Sequence, residues 1–368
     1  MTDALRPPTG TAVTALECIR CGTLHPVGDY SLGCPSCAAA GHGSNLFCRY
    51  PAKAVRQDEL VPYPVVPNLG QGHTPLFPLP WLDGVLVKNE AANPTGSHKD
   101  RFAAMAVTHA KASGYERVVV GSSGNAGLAT AAFAGAIGLK AMVAGFTWLP
   151  ESLAGPLRGL GADLRTFDTD EERVRYVKEA ADRDDTLAVS NVADIVIGSS
   201  CFGIEGYKAI AWEIAADVPA GVDHIVIPSS RGDLAWGIHL GFAEWSALTG
   251  GPMPRLHLVE PFPRLSAVLA GQDIATRFPD SARSLHSIAG DSTTVQARAA
   301  VTRSAGSAVV VREDVAISWF EQASRHGHTW EISSCTVLAA YDVLRRRNVI
   351  PSGARTVLIT TSHLFKGL

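Results

Sequence analysis

No stretch of this chain stays apolar long enough to cross a bilayer; the longest, such as residues 131–137, are short and broken by glycine. Charge of one sign is also missing. Lys and Arg number 32 against 35 Asp and Glu, leaving −3 at pH 7, so there is no broad attraction for nucleic acid. Residues Met1–Arg6 lack an apolar core, so a secretory leader is not expected. Neither a Walker A motif nor a dinucleotide fingerprint occurs, and no internal repeat is found. What is present is an enzyme-like composition, 46% apolar and 18% charged over 368 residues. That length buries a large core and suits two domains. The expected setting is cytoplasmic, with a small-molecule partner and neither nucleic acid nor membrane. The first 15 or so residues are expected to be disordered.

Seven cysteines occur, and four of them pair. Cys18-x-x-Cys21 and Cys34-x-x-Cys37 are separated by 12 residues, the spacing of two thiolate knuckles closing a tetrahedral structural zinc site. A disulfide framework does not suit a reducing compartment, and a redox dithiol needs only one such pair. Cys48, Cys201 and Cys335 read as small buried hydrophobes.

Downstream, short β-branched runs alternate with helical runs. Strands are expected at 85–87, 117–120, 140–144, 162–167, 186–189, 224–228, 255–260, 309–311 and 355–360, with helices at 128–137 and 152–159. This alternation predicts an α/β protein with two parallel sheets. Three turns follow predicted strands, where open α/β sheets bind ligands. Ser122, Ser123, Gly124, Asn125, Ala126 and Gly127 stand at a helix start whose N–H groups suit a carboxylate. Ser229, Ser230, Arg231, Gly232 and Asp233 suit a phosphate. Hydroxyls at Thr360, Thr361 and Ser362 can donate to a heteroaromatic nitrogen. Each turn alone is equally well a packing or turn-forming element. Lys99 follows the turn Asn93-Pro94-Thr95-Gly96-Ser97-His98 and heads an apolar helical run. The positive end of the helix dipole disfavours a protonated amine there, which suits a nucleophile. A solvated lysine is the plain alternative.

In collinear order these segments resemble the threonine synthase family, fold-type II pyridoxal-phosphate enzymes of the tryptophan-synthase-β-like group. Gly70-Gln71-Gly72-His73-Thr74-Pro75-Leu76 is similar to the family's Gly-Glu-Gly-x-Thr-Pro-Leu. Asn93-Pro94-Thr95-Gly96-Ser97-His98-Lys99-Asp100-Arg101 resembles its Asn-Pro-Thr-Gly-Ser-Phe-Lys-Asp-Arg lysine motif. Ser122–Gly127 fits its Ser/Thr-x-Gly-Asn loop, Glu205-Gly206-Tyr207-Lys208 its Glu-Gly-Gln-Lys, and Thr361–Lys366 its Thr-Gly-His-Gly-Leu-Lys. An N-terminal zinc ribbon of this spacing also occurs in the family.

The resemblance implies a zinc-ribbon segment at 1–50, a large cofactor-binding domain at 51–105 with 190–368, and a small substrate-closing domain at 106–189. It implies a homodimer with pyridoxal 5'-phosphate carried on Lys99. Asn125 would donate to the cofactor's phenolic oxygen, and Thr361 would face its pyridine nitrogen. Ser229, Ser230, Arg231, Gly232 and Asp233 would form the phosphate loop. Ser122, Ser123, Gly124, Asn125 and Ala126 would hold the substrate carboxylate. Arg158, Lys208 and Arg231 are basic candidates for a substrate phosphate.

Departures cluster at the site. His98 replaces Phe, and reads either as a packed histidine or as an extra acid/base. The phosphate loop is Ser-Ser-Arg-Gly-Asp where the family is Gly-rich, and Arg231 beside a phosphate requires Asp233 to point away. Glu331-Ile332-Ser333-Ser334-Cys335 replaces a Glu-Pro-x-Ser/Ala-Ala stretch.

The implied reaction is elimination of phosphate from an O-phosphorylated amino acid, O-phosphohomoserine, with addition of water. The alternative is β-replacement or β-elimination on a serine or threonine derivative, as in cysteate or cysteine synthases or a dehydratase. A non-catalytic ligand-binding relative is a third reading, against which Lys99, Asn125 and Thr361 argue.

Overall fold

The structure, a computed structural model, describes residues 7–122, 124–279 and 281–366. The chain opens with β1 (Ala15–Cys18), β2 (Leu24–His25), α1 (Pro35–Ala39) and β3 (Leu46–Arg49). Then come β4 (Leu76–Pro78), β5 (Val85–Asn89) and α2 (Lys99–Ala112). The next stretch alternates β6 (Arg117–Val120), α3 (Asn125–Ala136), β7 (Lys140–Phe146), α4 (Glu151–Gly159), β8 (Asp163–Phe167), α5 (Asp170–Ala181) and β9 (Thr186–Ala188). Helices α6 (Cys201–Glu205) and α7 (Lys208–Asp217) lead into β10 (His224–Pro228), α8 (Asp233–Thr249) and β11 (Arg255–Glu260). Last come α9 (Leu265–Leu269), α10 (Val295–Arg303), β12 (Ser307–Val310), α11 (Glu313–Arg325), α12 (Ile332–Arg346) and β13 (Thr356–Thr360). No helix among the described residues is long and apolar enough to cross a membrane.

These residues form two compact units, 7–71 with 99–207 and 72–98 with 208–366. In the first, β1–β3 make a small antiparallel sheet in the order β2-β1-β3. Its knuckle residues Cys18, Cys34 and Cys37 pack with Leu16 and Leu46 against Met105 of α2 and Phe202 of α6. His109 of α2 locks this junction. Its ring stacks on Phe202 with centroids 3.6 Å apart and bridges Tyr63 Oη, 2.8 Å from Nδ1, and Asp29 Oδ1, 2.5 Å from Nε2. The expectation of a disordered start fails where the chain is described. The Thr9, Ala12 and Thr14 amides donate to the Ala112, Pro62 and Arg49 carbonyls, which fixes the backbone ahead of β1.

The same unit carries a parallel sheet ordered β8-β7-β6-β9. Val119, Met142 and Ala144 on one face pack on Val177 and Ala180 of α5. The chain steps from β6 to β7 and β8, then returns to place β9 on the other side of β6. The order therefore reverses beside the C-terminal end of β6, and Gly121 and Ser122 leave from that switch point.

The second unit holds a six-stranded sheet ordered β12-β11-β10-β13-β5-β4. Every neighbouring pair is parallel except the edge strand β4, which the sequence pattern did not indicate. Val87, Val226, Val259 and Leu358 meet Val337, Leu338 and Tyr341 of α12 in its core. Central strands buried on both faces read as apolar runs, and β10, Ile-Val-Ile after His224, is one. Two buried ion pairs brace the unit, Lys88–Glu213 and Lys208–Glu244, each at 2.7 Å. Here the reversal lies between β10 and β13. Val226 pairs with Leu358, and Thr360 pairs with Asn89, so residues after 228, 360 and 89 emerge at one edge of the sheet.

Candidate active site

The turn before Lys99 belongs to the second unit and is wired on both sides. Asn93 Oδ1 accepts from the Gly72 amide at 3.0 Å, while its Nδ2 donates to Glu90 O at 2.8 Å and Glu90 Oε2 at 2.9 Å. Thr74 Oγ1 donates to the same carboxylate at 2.6 Å. The Gly72–Leu76 segment thus braces the lysine motif through Asn93 and Glu90. Gly96, at φ 77°, takes a left-handed turn that an L side chain resists. Its carbonyl receives the His363 amide at 3.0 Å and Ser362 Oγ at 3.3 Å. Ser97 Oγ is buried without a hydrogen-bond partner among the described residues. His98 is half-buried, and its backbone amide donates to Thr361 O at 2.9 Å. Its Nδ1 lies 3.2 Å from the same oxygen. A carbonyl only accepts, so the ring hydrogen sits on Nδ1.

Thr361 follows β13 and is 4% exposed. Its Oγ1 lies 3.0 Å from the Oγ of Ser334, in the first turn of α12. Sequence reading placed residues 331–335 near the site but assigned Ser334 no role. A serine in a Ser-Ser pair carries no local signal for this contact.

Ser229–Gly232 continues from β10 into the N-terminus of α8. Gly232 has φ 79°, and a Cβ there would sit 2.5 Å from Ala297. Glycine is therefore required both for the turn and for the close approach of α10. Asp233 is turned aside, its Oδ1 accepting from Gln296 Nε2. Ser229 Oγ is buried and without a partner among the described residues, in a loop whose amides stand at a helix start. An unpartnered buried hydroxyl costs about 1–3 kcal/mol, which a bound acceptor recovers. Hydroxyl donors, a helix N-terminus and the nearby Arg231 together suit a phosphate monoester.

In the first unit, Lys99 is the first residue of α2 and is half-buried. Its Nζ lies 5.8 Å from the Tyr207 ring centroid and 6.0 Å from that of Phe102. Two glycines make this arrangement possible. A Cβ on Gly203 would come 2.3 Å from Phe102 Cε2, and one on Gly206 would come 2.1 Å from Arg101 O. Helix α6 can therefore press on the first turn of α2 and deliver the fully buried Tyr207 beside the amine. The Gly-rich loop ends at Gly124, the N-cap of α3, with Asn125 as the first helical residue and Ala126 next. Gly127 is required because a Cβ would meet Ser122 O at 2.2 Å. Ser190 Oγ holds the Gly121 amide at 2.9 Å. Ser123 lies outside the described residues. Arg158, in the last turn of α4, is exposed and ion-paired with Glu151.

The four knuckle sulfurs lie within 4.8 Å of one another. Cys18 and Cys37 are 3.6 Å apart, Cys21 and Cys34 3.8 Å. Tetrahedral thiolates about 2.3 Å from zinc stand about 3.8 Å apart. The donor set and its spacing therefore fit a closed metal site.

Residues 67–362 match the family described as pyridoxal-phosphate dependent enzyme, a span that includes the Lys99 turn, the phosphate loop and Thr361. The chain belongs to that family. Within it the chain is threonine-synthase-like. It is 31% identical to the threonine synthase of Bacillus sp. (strain ULM1) over 201 residues, which are 52% of this chain and 54% of that protein. With the threonine synthase of Halalkalibacterium halodurans it shares 26% identity over 311 residues, 81% of this chain and 84% of that one. Threonine deaminase isoform 2 from Solanum lycopersicum shares the fold, with a TM-score of 0.68 at 18% identity, covering 79% of this chain and 83% of that one. The architecture is the fold-type II one that the motif order implied. The residues after β10 fit the phosphate of the family's cofactor on their own chemistry, through Ser229 Oγ and the glycine-permitted approach at Gly232.

Proposed function

We propose that this enzyme releases phosphate from an O-phosphorylated amino acid, O-phosphohomoserine, and adds water to give threonine. The observation that carries the reading is the common edge of the second unit's sheet. Strands β5, β13 and β10 deliver there the turn that ends at His98, then Thr361, then Ser229–Gly232. Lys99 follows His98 directly in the chain.

Bound pyridoxal phosphate supplies the electron sink that acidifies the substrate Cα–H. Lys99 carries the cofactor, and its amine then takes and returns the proton at Cα. A first-turn position favours the neutral amine this needs. Thr361 Oγ1 donates to the pyridine nitrogen, and the Asn125 amide to the phenolic oxygen. Ser229, Ser230, Arg231 and the Gly232 amide hold the cofactor phosphate, while Asp233 contributes as the first residue of α8. The Ser122–Ala126 amides at the start of α3 hold the substrate carboxylate. His98, with its hydrogen on Nδ1, offers Nε2 as the basic position of the ring. In the overall change Cβ loses one proton, the Cγ–O bond breaks with phosphate taking its electron pair, Cγ gains a proton, and water gives its hydroxyl to Cβ and its remaining proton to the departing phosphate. The four-cysteine site holds structural zinc. A homodimer is what the resemblance implies, and sedimentation tests it.

The β-replacement reading rests on the altered residues at the site, Ser229–Asp233 and Ser333–Cys335. One screen separates the two. Phosphate release is measured on O-phosphohomoserine, O-phosphoserine and O-phosphothreonine, with mass spectrometry of the products. The proposal expects threonine from O-phosphohomoserine. Release from that substrate without threonine overturns it, and turnover of O-phosphoserine alone favours the β-chemistry.

A further inference from the structure

The segment Gly290–Thr294, which lies outside the motifs named above, meets the Ser229–Gly232 loop at both of its ends. At one end, Arg264 joins the two. It is 1% exposed, and its Nη1 donates to Gly290 O while Nη2 donates to Ser229 O at 3.2 Å and Ile288 O at 2.8 Å. A Cβ on Gly290 would sit 3.1 Å from Ser230 Oγ. At the other end, Thr294 Oγ1 donates to Arg231 O at 2.5 Å, and α10 begins one residue later. Asp291, Ser292 and Thr293 lie between these two anchors. Neither Ser292 nor Thr293 is more than two residues, at most about 7 Å of chain, from an anchor.

Their hydroxyls are the informative atoms. Ser292 is 4% exposed and Thr293 3%, and neither Oγ has a hydrogen-bond partner among the described residues. Ser229 Oγ, in a residue 6% exposed, shares that condition across the same contact. Isolated buried hydroxyls are disfavoured, and three of them gathered on two touching segments point to an acceptor outside the chain. Two arginines stand at this contact, Arg231 in the loop and the buried Arg264, which pairs with the buried Glu260 at 3.8 Å and also feels the Arg231 charge. Asp291, the nearest carboxylate in the segment, is engaged outward by Arg277 at 2.9 Å, and Asp233 by Gln296. An anion rich in acceptor oxygens answers every one of these donors.

We propose that Ser292 and Thr293 are phosphate ligands, closing with Ser229 a hydroxyl-lined site for a phosphate monoester. This deepens the function proposed above and rests on it. It also accounts for the missing glycine-rich loop. Where the family's loop is Gly-rich, hydroxyl side chains on a second segment add the donors here.

The phosphate can belong to the cofactor or to the substrate, and the test separates them. The full-length chain is titrated with pyridoxal 5'-phosphate and, in parallel, with pyridoxal, following absorbance. Ser292→Ala with Thr293→Val should weaken pyridoxal 5'-phosphate binding about a hundredfold and leave pyridoxal unchanged, since each lost hydroxyl–dianion bond is worth roughly tenfold or more. Thr293→Ser, which keeps the hydroxyl, should restore most of that single-site loss and guards against a folding artefact. If cofactor binding is unchanged but O-phosphohomoserine saturates about tenfold higher or more, the proposal holds with the substrate's phosphate as ligand. No change in either titration overturns it while leaving the function intact. Failure of the unaltered chain to bind pyridoxal 5'-phosphate at all overturns the function itself.

Discussion

Ser334 Oγ receives the amides of Thr361 and Ser362, each at 3.0 Å, and lies 3.0 Å from Thr361 Oγ1. Two amides fill both lone pairs of the serine, so its own hydrogen points to Thr361 Oγ1 or to Ser362 O, 3.3 Å away. In the first orientation Thr361 accepts from Ser334 and its own hydrogen is directed onward. A donating Thr361 suits an unprotonated ring nitrogen. Ser334→Ala should cost about 2–4 kcal/mol in urea unfolding, because two buried amides lose their acceptor. Thr361→Val should weaken cofactor binding about tenfold, and Thr361→Ser should retain it. An unchanged urea midpoint for Ser334→Ala contradicts this hub.

Lys99→Ala should fold normally and lose the visible absorbance that the chain acquires with pyridoxal phosphate. The residue is half-buried at a helix start, where alanine is a good substitute, so stability should change by less than about 1 kcal/mol. A variant that keeps the band places the covalent link elsewhere.

Gly206→Ala would place a methyl carbon 2.1 Å from the Arg101 carbonyl, a backbone atom that cannot swing away. A loss of about 3 kcal/mol is expected from the forced shift of α6 against α2. Gly159→Ala, where a Cβ meets nothing within 4 Å, is the control and should be neutral or stabilising by about 0.5 kcal/mol. Equal melting temperatures for the two variants contradict the close approach.

The four-cysteine site should hold about one zinc per chain, and Cys18→Ser should remove most of it by elemental analysis. Because Cys18, Cys34 and Cys37 pack with Met105 and Phe202, chelation should also lower the thermal midpoint of the first unit. Unaltered zinc content in the variant excludes four-thiolate binding.

Burial lowers the pKa values of His239 and His257 from 6.5 to about 4, assisted by the charges of Arg303 and of His224 with Arg255 respectively. His257 meets His224 at 2.9 Å at the start of β10 and β11, the edge opposite the candidate site. With depressed folded-state values, the unfolded chain binds more protons between pH 6.5 and 4. Their stabilisation is complete above pH 6.5 and is lost as pH falls towards 4. Replacing His239 by Leu should flatten the fall in unfolding free energy by roughly 1.4 kcal/mol per pH unit within that window. An unchanged slope means that His239 titrates alike in both states.

Much of the architecture was legible because parallel strands are short, β-branched and buried on both faces. The expected bounds of β6, β10 and β11 coincide with the observed ones. The edge strand β4, Leu-Phe-Pro, escaped because three residues ending in proline carry no alternation. Knuckle spacing announced the cluster of four cysteines, but nothing local announced that His109, Tyr63 and Asp29 would clasp it to α2. These three come from separate segments and meet through the two nitrogens of the His109 ring.

The sequence by itself determined the order of elements, the lysine turn, the Gly-dependent bends and the cofactor family, all of which depend on residues near one another in the chain. Only the tertiary structure decided that Ser334 organises Thr361, that Asp233 turns to Gln296, and that Thr294 bonds the Arg231 carbonyl. Those relations join positions tens of residues apart. Strand order and helix packing bring them together, and neither is encoded in any local spacing.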